Sequence, residues 1–368
     1  MFYRIHSDGL RMAVDLRHHY AGTGRATCWI IGGGPSLRAM PCDRIQLSPV
    51  PKFAVNLCGF GLIRPDIWTA YDPTARFHRS TYLDGSVLKL LPSRRATDLV
   101  PGTTHKVGDC PSTLFFERDG QRGFHNFLGD ETTREENPGI ADWQDSLVQA
   151  IDLAWRLGFR RLFLVGCDMH IGPPEKHVRR AGLGGVRYQP EELLRGFYDR
   201  CREAGLDPAS LEADEPIAPY HFDETKSLAA ALQTDFHYYR VVQYLRLSRR
   251  AMSLAGLELI SATPSSRLNA FFPYRPVDDL LDDIADEIGH PAREATRGQY
   301  SKRNEMGAPP GAPMKDFRPH NWGPAPRAAT TRANVVGRRS TAQLHREVRL
   351  TAAIEDLPEI EVPLQEEG

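Results

Sequence analysis

Several functional classes are excluded by what the sequence lacks. No run approaches the roughly 18 consecutive apolar residues of a membrane-spanning helix, so no membrane span is expected. The first twenty residues have no apolar core leading to a small-residue cleavage site, and a cytoplasmic protein is expected. The six cysteines (Cys28, Cys42, Cys58, Cys110, Cys167 and Cys201) form no C-x-x-C pair and read as reduced thiols, most of them in the core. D-x-D, G-x-S-x-G, H-E-x-x-H and zinc-spaced Cys/His sets are absent, and no metal site is expected. Forty-six basic residues against 47 acidic ones leave a net charge of −1, without the basic excess of a nucleic-acid binder.

The 368 residues divide into about two domains at the usual ~150 residues each. The placement of proline and glycine changes that division. Between Pro291 and Thr331 lie seven prolines and four glycines with few large aliphatics, too little apolar surface to offset chain entropy. Beyond this, Arg293–Arg349 carries 12 basic residues against 4 acidic, and Leu350–Gly368 carries 6 acidic and none basic. The expected organisation is an N-terminal extension over 1–26, one folded domain over 27–290, and a largely disordered tail over 291–368. A short helix is expected at Met12–His19.

Within the folded domain, short β-forming runs alternate with helical patterns. Thr27–Ile31, Phe53–Leu57, Ile67–Tyr71, Val87–Leu91, Leu114–Glu117, Arg161–Val165 and Leu257–Ala262 read as strands. Asp145–Leu157 is the clearest helix, with an N-cap, an apolar stripe and Gly158 as its stop. Helices are also expected over Pro190–Ala204, Thr225–Gln233, Tyr239–Leu254 and Val277–Ile288. Helix followed at once by buried strand, as at 145–165, predicts an α/β fold: a Rossmann-like, mostly parallel sheet with helices on both faces.

Candidate binding residues cluster at predicted strand ends, where open α/β sheets hold ligands. Gly32-Gly33-Gly34-Pro35-Ser36 follows the first such strand. Glycines there let backbone N–H groups approach a phosphate, and Ser36 adds a hydroxyl, although the spacing matches neither the dinucleotide fingerprint nor the P-loop. Asn56 and Asp72 end two further strands. Asn offers a donor and an acceptor to a ribose or base. Asp168, in Gly166-Cys167-Asp168-Met169-His170, ends another. Ile171–Gln189 reads as a loop in the position of a lid, with His177, Arg179, Arg180 and Arg187 as its cationic residues. Thr263-Pro264-Ser265-Ser266 is a polar loop after the last strand. Histidine as a residue type can exchange a proton near neutral pH, which makes His221 and His237 candidate general bases, accompanied by Tyr220, Tyr238 and Tyr239.

Taken in order, Trp29–Leu37, Asn56, Pro65–Asp72, Ser146–Met169 and Gly256–Leu268 resemble the 6-hydroxymethylpterin diphosphokinase MptE-like family, which includes motility accessory factor (Maf) glycosyltransferases. The set is more distantly similar to the Cst-type bacterial sialyltransferases. The resemblance covers about residues 27–288. It implies a nucleotide-linked donor held by Gly32, Gly34, Ser36 and Asn56, with Ser146, Pro264, Ser265 and Ser266 close by. It also implies His237 as general base ahead of the penultimate helix, with Tyr238 or Tyr239 beside the leaving phosphate. The turn carries Gly33 where the usual G-N-G-P-S turn has Asn. The expected function is a metal-independent transferase using a nucleotide-sugar donor and a glycan or small hydroxyl acceptor, with no cofactor required. The alternatives are an ATP- and Mg²⁺-dependent diphosphokinase of a pterin-like alcohol, with carboxylates such as Asp72 and Asp168 as ligands, and a non-catalytic nucleotide- or glycan-binding module.

Overall fold

A computed structural model describes residues 2–6, 9–22, 26–56, 61–129, 139–189, 191–206, 218–221 and 224–288, with only the backbone at 218–220 and 224. The chain divides into two units, Met1–Gly323 and Pro324–Gly368. The second unit, the tail expected over 291–368, Cys58 and the side chain of Tyr220 lie outside the described residues.

The strands are β1 (Phe2–Ile5), β2 (Arg11–Val14), β3 (Thr27–Ile31), β4 (Lys52–Val55), β5 (Ile67–Thr69), β6 (Leu88–Pro92), β7 (Thr113–Phe116), β8 (Arg118–Asp119), β9 (Ile140–Ala141), β10 (Arg161–Val165), β11 (Ala218–His221), β12 (Glu224–Lys226) and β13 (Glu258–Ser261). The helices are α1 (Cys42–Leu47), α2 (Arg79–Leu83), α3 (Ser146–Arg156), α4 (Glu175–Leu183), α5 (Leu194–Glu203), α6 (Leu228–Leu247), α7 (Arg249–Leu254) and α8 (Val277–Ile288). Nine strands form one sheet in the order β13-β10-β3-β4-β5-β6-β7-β1-β2. All neighbours from β13 to β7 pair in parallel, and β1 and β2 add an antiparallel edge.

The mostly parallel α/β sheet expected from the sequence is present. Its central strands are apolar throughout because both faces are covered. In β3, Cys28 and Ile30 join the core against α3, α6 and α7, while Trp29 and Ile31 join the core against α1, α2 and α8. Asp145 caps α3 by accepting from the backbone N–H groups of Leu147 and Val148 at 2.8 and 3.0 Å. Gly158 follows the helix at φ +105°, a left-handed turn that feeds the chain directly into β10.

Three expectations are corrected. The segment 12–19 is not a helix: Arg11–Val14 pairs with Phe2–Ile5, and Phe2 is buried in the main core. Residues 171–189 are not a bare loop. They contain α4, which packs with α5 and the start of α6 around a third core of Ile171, Ala181, Leu194, Phe197 and Ala231. The helix expected to begin at Tyr239 runs unbroken from Leu228, so His237 lies inside it. Thr234 and Asp235 look like a helix start in sequence. Here Thr234 Oγ1 bonds back to the Ala230 carbonyl at 2.9 Å, and Asp235 is satisfied by distant partners.

Candidate functional site

From β3 the chain steps through β4, β5, β6 and β7 in one direction, then returns to β10 and β13 on the other side of β3. The loops leaving β3 and β10 therefore diverge, and a crevice opens between them at the carboxyl edge of the sheet. A pocket occupies this switch point. Its walls are the glycine turn after β3, Val55 and Asn56 after β4, Gly166–His170 after β10, and the N-terminus of α3 at Asp145–Leu147. His221 and Tyr238 close it.

In the glycine turn, two of the three glycine N–H groups are used within the protein. Gly32 and Gly34 donate their N–H groups to the carbonyls of Val165 and Gly166, both at 2.7 Å. Ser36 donates its N–H to Asp168 Oδ1 at 3.3 Å and its hydroxyl to Asp168 Oδ2 at 2.7 Å. These donors are spent on joining the two strand ends. A Cβ at Gly32 would lie 2.5 Å from the Gly166 carbonyl oxygen, and one at Gly34 would lie 1.8 Å from Asp168 Oδ2. Glycine is required because two backbones meet here. Pro35–Ala39 continues as one short 3₁₀ turn.

Burial pushes the Asp168 carboxyl above the usual carboxylate range, against the opposing pull of the Ser36 hydrogen bonds and nearby His170. Cys167 beside it is buried, and its thiol is pushed up by the same desolvation. This wall therefore offers an acid and little positive charge, a surface for hydroxyl or amino groups.

Asn56 sits at φ +54°, a left-handed conformation that Asn tolerates better than most residues. Its Oδ1 accepts from the Tyr71 backbone N–H at 3.3 Å and from Ser146 Oγ at 2.8 Å. The backbone N–H can only donate, which fixes the amide orientation. Nδ2 has no partner among the described residues and is the donor that Asn56 can give a ligand. Ser146, at the first turn of α3, also accepts from the Tyr71 N–H at 3.0 Å, tying β4, β5 and α3 together.

Two histidine arrangements adjoin the pocket. His170 Nδ1 lies 2.9 Å from the Asp168 carbonyl. A carbonyl only accepts, so Nδ1 carries the proton and Nε2 keeps the lone pair of the neutral ring. His237 Nε2 lies 3.3 Å from Asp145 Oδ2. His237 is not one of the pocket-lining residues, although its partner Asp145 is. Tyr238 lines the pocket. Tyr239 packs by the Arg267 guanidinium instead, with 5.9 Å from Cζ to the ring centroid.

The other expected site residues do not line the pocket. Asp72 is ion-paired to Arg76 and does not line the pocket, whereas Asp168 does and is bonded to Ser36. Ser266 Oγ donates to the Cys167 carbonyl at 2.6 Å and caps the turn after it, buttressing the β10 loop from behind. Pro264 and Ser265 are exposed. His177 is buried against Tyr198, with Nδ1 2.7 Å from the hydroxyl. Arg179, paired with Glu175, and Arg180 and Arg187 are exposed on and after α4. Among the described residues, no three His, Cys, Asp or Glu side chains group to hold a metal ion.

Sequence reading placed Asp145 only at the start of a helix and His170 only beside Asp168. The signal for both was position, since each stands at a strand end or helix start that the topology directs into the switch point. The chain matches no family model, no curated protein and no solved structure.

Proposed function

We propose that the chain is a transferase that binds a nucleotide-activated donor, a nucleotide sugar, in the switch-point pocket and passes the activated group to a hydroxyl acceptor. The observation that supports this most is the position of the pocket between the diverging loops of β3 and β10, where parallel α/β sheets hold nucleotides. The ordered motifs that resemble the MptE-like and Cst-type transferases surround the same crevice.

In this reading the Asn56 amide and the Asp168 carboxyl bind the hydroxyl-rich ribose or base. His170 Nε2 takes the acceptor proton as the acceptor oxygen bonds to the anomeric carbon. The bond from that carbon to the donor phosphate breaks, and the nucleotide leaves with the electron pair. His170 replaces His237 as the base because it lines the pocket, and the step uses no metal.

The test is a thermal-shift screen of the full chain with CMP, CDP, UDP, GDP and ATP, each with and without Mg²⁺. A shift with one nucleotide that does not need Mg²⁺ supports the reading. A shift only with ATP and Mg²⁺ supports diphosphoryl transfer instead, and no shift with any of them sinks both. For the base, His170→Ala should lower turnover by about 10²–10⁴-fold while nucleotide binding persists. The second reading is a nucleotide-binding module without catalysis. It is favoured by the glycine turn, where the N–H groups of Gly32 and Gly34 are spent within the protein, and it predicts a shift without turnover.

A further inference from the structure

Beside the pocket, the loops after β5, β6 and β7 bring three arginines around one aromatic ring. Tyr71 is joined to the pocket wall by its N–H, which meets Asn56 and Ser146. The Arg118 guanidinium lies over the Tyr71 ring, with Cζ 3.8 Å from the centroid, and Arg94 approaches the same ring at 5.5 Å. Arg95 Nη2 donates to the Tyr71 carbonyl at 3.3 Å.

These cations are poorly neutralised. Arg95 has only a 3.4 Å contact with Asp98, whose other claim is the Thr74 hydroxyl at 2.5 Å. Among the described residues, no carboxylate lies within ion-pair distance of Arg118 or Arg94. Asp142 acts on Arg118 only at longer range. Arg118 makes one hydrogen bond, from Nη2 to Gln149 Oε1 at 3.0 Å. Its Nε and Nη1, and Nε of Arg95, are buried with no acceptor. Buried charged donors without acceptors are costly, and such a group calls for an explanation. Burial, together with repulsion from Arg94 and Arg95, pulls the Arg118 guanidinium down to about 10, which leaves it cationic at neutral pH. Arg94 is exposed and brings the third guanidinium from the solvent side.

We infer that Arg94, Arg95 and Arg118, arranged around Tyr71 beside the pocket, form a subsite for a phosphoryl anion, the diphosphate of the bound donor. A tetrahedral, multiply charged anion supplies several acceptor oxygens at once, which a guanidinium fork matches. The assignment also gives phosphate a place other than the glycine turn, where the N–H groups of Gly32, Gly34 and Ser36 are already used within the protein. It rests on the proposed function for the identity of the ligand, though not for the anion site itself.

The experiment is isothermal titration of the full chain with inorganic pyrophosphate, with malonate and with an unphosphorylated nucleoside. The variants are Arg118→Met, Arg118→Lys and the exposed Arg94→Gln. Pyrophosphate should bind the wild type and weaken about tenfold or more in Arg118→Met. Arg94→Gln, the variant least able to disturb folding, should weaken it in the same direction. Arg118→Lys should restore only part of the affinity, since a point charge lacks the fork. Nucleoside binding should be unchanged in all three. Pyrophosphate that fails to bind, or binds equally to wild type, Arg118→Met and Arg94→Gln, overturns the subsite, and nucleoside binding then still judges the pocket. Malonate bound as tightly as pyrophosphate overturns the phosphoryl assignment. Arginine-dependent pyrophosphate binding without any nucleoside binding supports the subsite and counts against the nucleotide reading of the pocket.

Discussion

Ser36 Oγ lies 2.7 Å from Asp168 Oδ2, and that bond joins the loop leaving β3 to the loop leaving β10. The switch-point crevice is therefore held at a fixed width by a hydroxyl, a carboxyl and two glycines.

This relationship gives a pH dependence. Burial raises the Asp168 carboxyl above its ordinary 3.8, so the folded state keeps a proton that the unfolded chain has shed. Ionised Asp168 thus opposes folding. The cost is absent below the ordinary value, grows as pH rises through it, and is complete above the raised folded value. Asp168→Asn keeps an acceptor for Ser36 and removes the titration. Urea denaturation of both proteins at a series of pH values should show the wild type losing ground to the variant as pH rises from about 3 upward through the ordinary carboxylate value. A constant difference over that window contradicts the assignment.

Asn56 has two separable duties. Its Oδ1 serves the Tyr71 N–H and Ser146, and its Nδ2 faces no partner among the described residues. Asn56→Asp preserves the acceptor, so stability should stay within about 1 kcal/mol, while the nucleotide-induced thermal shift should fall sharply. Asn56→Ala takes the acceptor from the Ser146 hydroxyl and forces alanine to φ +54°, which should lower stability by about 1–3 kcal/mol. Equal nucleotide binding by Asn56→Asp and wild type would show that Nδ2 does not touch the ligand.

Asp235 and Arg267 form a buried ion pair at 3.1 Å. Asp235 also accepts from the N–H groups of Ile171 and Leu194, each at 2.9 Å, and Arg267 donates to the Met169 carbonyl at 3.0 Å. The pair fastens α6 to the β10 loop and to the start of α5. Asp235→Ala leaves a buried guanidinium and two amides without their acceptor, and should cost about 3–5 kcal/mol. The double variant Asp235→Ala/Arg267→Met should recover part of that loss. A double variant no more stable than Asp235→Ala would show that the stranded cation is not the main penalty.

Asp235 also shows where sequence reading stops. Its place after Thr234 looks like a helix cap, because local hydrogen bonding is all that sequence exposes. Its real partners lie 32 to 64 residues away, and only the packed fold brings them together. Thr27–Ile31 and Arg161–Val165 were legible, since strands buried on both faces are continuous apolar runs. So were Gly32–Gly34, Asn56, Ser146 and Asp168 as pocket neighbours, since strand ends and helix starts converge in a parallel sheet. The role of the glycine turn was hidden: glycine looks the same whether it admits a phosphate or another backbone. The arginines around Tyr71 were hidden too, because Arg94 and Arg95 follow β6, Arg118 follows β7 and Tyr71 follows β5, connections that meet only through strand order.

Lys89 provides the last test. It lies near the start of β6 and is fully buried, donating from Nζ to the carbonyls of Asp84 at 2.6 Å and Val87 at 3.0 Å. Burial pulls its ammonium group from 10.5 down to about 8, while Asp84 and Cys110 act weakly in the opposite direction. Below pH 8 both folded and unfolded chains carry the charge, and folding bears the whole desolvation cost, about 3 kcal/mol at 1.36 kcal/mol for each pH unit. Between about 8 and 10.5 the folded lysine is neutral while the unfolded one stays protonated, so stability attributable to Lys89 rises with pH. Above 10.5 the cost has gone. Lys89→Met matches the chain length without the charge. The stability difference between wild type and Lys89→Met should be flat from pH 6 to 7.5 and then move in favour of the wild type by about 3 kcal/mol up to pH 10.5. Measured by denaturant unfolding, a difference that stays flat across this range would mean that the two carbonyls solvate the ammonium well enough to cancel its burial.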